Sequence, residues 1–197
     1  MTRRALLAWL SIVAALGVML LVPAVSGAPS PGPDVEVSVL DGRKCRPFAE
    51  HLPVLFSVSS IQPGDRTPRV DVCVRNVGHM AARLTLGVFE RVESEAGCTA
   101  DEPDVDLTCG GELAGELGGN LVVLVTTQPD CRGAAAPAVE VNLVALESTP
   151  AILNPSLRPN RTDCVGLQVD YRPTSDEAAA ASQTDKVLWR FSFDLST

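Results

Sequence analysis

RVDVCVRNVGHMAARLTLGV, residues 69–88, decides the fold class. Val70, Val72 and Val74 alternate with Asp71, Cys73 and Arg75, and Leu84, Leu86 and Val88 alternate with Arg83, Thr85 and Gly87. A period of two puts successive side chains on opposite sides of an extended chain. Each run therefore reads as a strand with one apolar and one polar face. Asn76-Val77-Gly78 lies between them and predicts a short hairpin.

The same period recurs on both sides of this stretch. Upstream it runs through Val35, Val37 and Val39; downstream through Val139-Val141-Leu143, Val165-Leu167-Val169-Tyr171 and Val187-Trp189-Phe191-Phe193-Leu195. Residues 121–125 are apolar on both faces and predict a strand covered on both sides, and another strand is expected through 55–59. In IQPGD, Pro63 presets the first central position of a turn and Gly64 supplies the positive φ of a type II turn. About eight strands in one domain cannot bury their apolar faces as a single open sheet. The expected fold is all-β: a two-sheet antiparallel sandwich, jelly-roll-like and disulfide-bridged. Only residues 175–183, with Asp176 and four consecutive alanines, have helical propensity, and they fit a loop equally well.

The beginning of the chain points to export. Arg3 and Arg4 precede an apolar run over residues 5–22, then Pro23 and the small-residue stretch 24–27. That is the layout of a signal peptide, residues 1–27, cut after Gly27. The alternative is an uncleaved anchor, since the run approaches the ~20 apolar residues that span a bilayer. A Pro-rich leader, residues 28–34, would then precede a single domain over 35–197 with an acidic insertion around 91–120. Past the signal peptide, after residue 27, remain 14 of the 16 basic residues against all 24 acids, a net charge of −10. Such a surface repels nucleic acid and anionic lipid, so neither is an expected partner, and membrane contact is expected only through an uncleaved leader.

All six cysteines follow the leader, and an even number in an oxidising compartment reads as disulfides. Zinc is disfavoured: there is no CxxC pair, and His51 and His79 stand alone. Cys73 and Cys164 both fall on the polar faces of their strands, which predicts a bridge between them. Cys98 and Cys109 bracket an acidic loop, whose closure would be worth ~2.5–3 kcal/mol in the chain-entropy model. Cys45 and Cys131 then remain for each other. Nine carboxylates lie between Glu90 and Glu116. Among them Asp101, Asp104 and Asp106 are the candidate calcium ligands, although the spacing fails the EF-hand loop. The expectation is a solvated loop without a cofactor, calcium being the alternative.

Residues 56–88, and SQTDKVLWRFSFDL at 182–195, resemble the camelysin/TasA family of secreted bacterial proteins. The matching features are Pro63-Gly64-Asp65, the alternating Val70-Val72-Val74, Asn76 and Gly78, Ala82 and Leu84, and a Gln-x-Asp turn before a closing aromatic strand. The resemblance implies a secreted jelly-roll domain of the cell surface or biofilm matrix, which in some members forms fibres by lending an N-terminal strand to the next subunit. The strand carrying Val35, Val37 and Val39 is the candidate assembly strand. The exported N-terminus lacks the aromatic-containing start of fibre formers, and the cysteine-bracketed acidic insertion is a second departure. The resemblance also raises metallopeptidase activity, but neither HExxH nor GxSxG occurs. No enzyme is expected. The expected function is a structural or interaction protein, secreted or at the cell surface, whose partners are itself or other surface and matrix proteins. The alternative is a monomeric module that binds a wall polymer or surface protein.

Overall fold

Each alternating run becomes a strand, and the apolar faces of the central strands meet in one shared interior. A computed structural model of the chain describes residues 35–42, 44–45, 47–49, 52, 56–59, 61–95, 116–131, 134–182 and 185–197. Ten strands result: β1 Val35–Asp41, β2 Lys44–Cys45, β3 Phe56–Ser59, β4 Val70–Asn76, β5 Ala82–Ser94, β6 Leu121–Pro129, β7 Val139–Asn142, β8 Ala151–Leu157, β9 Thr162–Tyr171 and β10 Lys186–Ser196. They form a six-stranded sheet, β2-β1-β4-β9-β6-β7, and a four-stranded sheet, β3-β10-β5-β8. Every pairing is antiparallel. Gly32–Thr197 make up one compact unit.

The core is what the alternation predicts. Val72, Val74, Leu121, Val123, Val165 and Leu167 of the larger sheet meet Leu84, Leu86, Val187 and Trp189 of the smaller one, all at most 1% exposed. Phe56 stacks on Trp189 with ring centroids 5.7 Å apart and meets Phe191 edge-on at 4.9 Å, a geometry worth about 0.5–1.5 kcal/mol per pair beyond burial. The 62–65 turn forms as expected. Gly64 has φ +85°, and Asp65 N–H donates to the Gln62 carbonyl at 2.9 Å. Residues 176–181 are helical (α2, Asp176–Ala181), because the Ser175 hydroxyl accepts from Ala178 N–H at 3.1 Å and caps the first turn. A shorter helix, α1 (Ala145–Ser148), and a 3-10 turn at Leu117–Asn120 complete the elements.

One expected hairpin is absent. β4 and β5 do not pair; they belong to different sheets, so Asn76-Val77-Gly78 crosses from one layer to the other. The cause is Asn76, which is fully buried. Its Nδ2 donates to the Met80 and Leu157 carbonyls, both at 2.9 Å, and its Oδ1 accepts from Gly78 N–H at 2.9 Å. That amide holds the chain in a steep crossing where two turn residues would have folded it flat.

Candidate functional site

Three places in the fold carry chemistry or contact potential. The first is the expected assembly strand. β1 pairs with β4 from Val35↔Asn76 to Val39↔Val72 and lies inside its own sheet. Its other edge is closed locally: Val37 N–H donates to the Ala49 carbonyl at 2.8 Å, and Ala49 N–H returns to Val37 at 2.9 Å. Leu40 also pairs with Cys45 of β2. Val37 is buried, and Val35 and Val39 are partly buried against the core.

The second place is a knot of sulfur on the outer face of the larger sheet. The bonds are Cys45–Cys73 and Cys131–Cys164, which corrects the expected pairs Cys73–Cys164 and Cys45–Cys131. Cys73 and Cys164 do sit directly across from each other on β4 and β9, but their sulfurs are 3.9 Å apart and unbonded. Register explains this. Opposed residues in an antiparallel pair hold Cβ atoms about 4.5–5.5 Å apart, at or beyond the ~3.5–4.5 Å that a disulfide takes. Each strand cysteine is therefore bridged to a loop that folds over the sheet. The 44–49 segment brings Cys45 to a Cα separation of 6.0 Å from Cys73, and the turn after β6 brings Cys131 to 4.8 Å from Cys164. This cover buries Cys73 completely on a face that the alternation marks as polar. Cys98 and Cys109 lie outside the described residues. The Sγ atoms of Cys45, Cys73 and Cys131 lie within 4.8 Å of one another, but disulfide sulfurs are not thiolate ligands. Beside the knot, the Arg69 guanidinium lies over Gly166, where a Cβ would come within 2.1 Å of it, while bonding Asp71 at 2.7 Å.

The third place is a carboxylate cluster that sequence reading missed. β5 and β10 pair Ser94 with Lys186, and one further step puts Asp185 across from Glu95. Glu116, just before the 3-10 turn, completes a trio whose ligand oxygens lie within 4.8 Å of one another. Asp185 is fully buried. Its Oδ2 accepts from Glu116 N–H at 2.5 Å and Leu117 N–H at 2.9 Å. Among the described residues no N–H or O–H reaches its Oδ1, and its carboxyl neighbour is Glu95. Burial pushes the Asp185 carboxyl up to about 7; the charge on Glu95 adds to the rise, and the two backbone N–H groups oppose it. Asp101, Asp104 and Asp106, the expected calcium ligands, lie outside the described residues.

A polar depression of about 540 Å³ lies beside the 62–65 turn, lined by Arg66, Asp170, Arg172 and the start of α2. Buried Asp170 binds both arginines, Arg66 at 3.1 Å and Arg172 at 2.7 Å, and Arg172 also grips Glu140 at 2.6 Å. His79 is exposed on the crossing between sheets, and His51 lies outside the described residues. No helix of the described residues is long and apolar enough to cross a membrane. The disulfides point to an oxidising, non-cytoplasmic location. No protein-family profile, curated protein or solved structure matches the chain.

Proposed function

We propose that this chain is a secreted structural or interaction protein of the cell surface or extracellular matrix, similar to the camelysin/TasA proteins, and that its domain acts as a self-contained module. One observation carries the choice of module over fibre. β1 is hydrogen-bonded on both edges by its own chain, and the loop beyond it is pinned by Cys45–Cys73. A strand that completes its own sheet has no open ladder to offer a neighbour. The acidic surface and the disulfides support work outside the cytoplasm, on a wall polymer or another surface protein. The four sheet edges are blunted or short: β8 contains Pro155, β3 and β7 have four residues each, and β2 has two.

The test is electron microscopy and sizing of the leader-free protein at high concentration, together with Val37→Asp. In a self-contained domain that change puts a charge into the core beside Val74 and lowers stability by about 3–4 kcal/mol, with wild type remaining monomeric. An unaltered melt combined with loss of filaments that wild type forms would make β1 a donor strand and overturn the module reading. Chelator-sensitive cleavage of casein would overturn the non-enzymatic reading.

A further inference from the structure

The carboxylate trio at the neck of the acidic insertion is built for something that the module reading does not use. Glu95 and Glu116 are the described residues nearest the middle of the acidic insertion on either side, and Asp185 is the residue entering β10. Three chain segments thus bring acid side chains to one point, and two of the acids face each other across paired strands. Like charges directly opposite are destabilising unless something positive lies between them. Arg91, four residues before Glu95, is bonded to Glu93 and to Glu147. Lys186 follows Asp185, but its side chain is exposed.

A second observation, the burial and bonding of Asp185, points to a ligand. Asp185 is 0% exposed, and while one carboxylate oxygen is saturated by two backbone N–H groups, Oδ1 accepts from no N–H or hydroxyl, and the side chain's remaining neighbour is another acid, Glu95. A buried carboxylate oxygen without a donor is costly, by about 1–3 kcal/mol or more for a charged group. The two N–H bonds also fix the orientation of the carboxyl, so Oδ1 is held in place as a ligand would require. The spacing then narrows the ligand. Oxygens bound to one calcium ion lie ~2.3–2.6 Å from it, so any two of them are at most about 4.6–5.2 Å apart. The trio, within 4.8 Å, fits that shell. Oxygen-only donors fit a hard ion and not zinc or copper.

We propose that Glu95, Glu116 and Asp185 form a binding site for a hard divalent cation of the calcium class, closing the neck of the acidic insertion, with water supplying the remaining ligands. The ion ties the end of β5 to the start of β10 and to the 3-10 turn that leads into β6. It acts at the stems of the insertion, through residues other than Asp101, Asp104 and Asp106.

The experiment uses the leader-free protein, freed of metal by chelator and titrated with calcium chloride by calorimetry and by thermal melt. Expected is one calcium per chain and a rise in melting temperature that saturates with occupancy. Asp185→Asn keeps an acceptor for the Glu116 and Leu117 N–H groups while removing the charge, so it should fold and lose both responses. The triple variant Asp101→Asn, Asp104→Asn, Asp106→Asn should keep both. If Asp185→Asn fails to fold, exposed Glu116→Gln carries the test, with calcium affinity expected to fall roughly tenfold or more as a charged ligand is lost. Absence of any response in wild type at millimolar calcium overturns the site. So does a response abolished by the triple variant but untouched by Asp185→Asn or Glu116→Gln.

Discussion

The sulfur knot and the carboxylate neck stand at opposite ends of β9 and solve one problem in two ways. Cys164 and Tyr171 are seven residues apart on that strand, roughly 23 Å, and the charge of Asp185 is felt at Tyr171. At both ends the fold gathers several ligand-type atoms within 4.8 Å of one another. At the sulfur end their reactivity is consumed in two covalent bonds that pin loops over the sheet. At the acid end no disulfide among the described residues relieves the crowding, and Asp185 Oδ1 accepts from no N–H or hydroxyl. The first end is therefore fixed once oxidised, whereas the second must respond to whatever proton or cation the surroundings supply.

Reduction is the largest perturbation and, among the described residues, acts on the two bridges of the sulfur end. The bridges close loops of 28 and 33 residues, each worth about 3.5 kcal/mol in the chain-entropy model. Together they approach the whole stability of an ordinary domain, about 5–15 kcal/mol. Denaturant melts with and without a dithiol reductant should differ by several kcal/mol, and peptide maps of unreduced protein should link Cys45 to Cys73 and Cys131 to Cys164. A map linking Cys73 to Cys164 would show that the strands and not the loops carry the bridge.

Changing pH acts on the acid end and has a smaller effect. The Asp185 carboxyl is raised to about 7 in the folded protein, against ~3.9 in an unfolded chain. A raised value means that the folded state holds its proton more tightly, so this group's stabilisation is complete below about pH 4. It is lost progressively as pH rises towards 7. In chelator-treated protein the melting temperature should fall over that window, and Asp185→Asn should flatten the fall. An identical slope in the variant would place the titration elsewhere.

The strands were legible because alternation is a local property, and the expected runs from β1 to β10 form in place. β2 and β8 were not: β2 has only two residues, and in β8 Pro155 and Asn154 interrupt the period and leave Ile152 exposed. The pairing of cysteines required register, which alternation alone does not set: the same polar-face positions of Cys73 and Cys164 fit a direct bridge until the distance between opposed strands is known. Asp185 was hidden for a similar reason. It lies 90 residues from Glu95 in sequence, and the Ser94↔Lys186 pairing brings the two acids together. Acidic composition drew attention to the middle of the insertion, while the built cluster lies at its stems.

The smallest effect offers the sharpest view of the acid end, because the chain has a single tyrosine. Tyr171 is buried, and its hydroxyl lies 2.7 Å from the Ser182 hydroxyl. Desolvation holds its ionisation above the usual phenol range, Ser182 pulls it down, and the negative charge of Asp185 pushes it up. Removing that charge should therefore let Tyr171 ionise at lower pH, in Asp185→Asn and equally in wild type with calcium bound at the neck. Phenolate absorbance near ~295 nm follows this one residue, and fluorescence of Trp189 reports whether the core stays intact during the titration. Both perturbations should shift the tyrosine the same way, and calcium should add nothing to the variant. A tyrosine curve that ignores Asp185→Asn would mean that the carboxyl is uncharged or screened at high pH, and the two ends of β9 would then be equally inert.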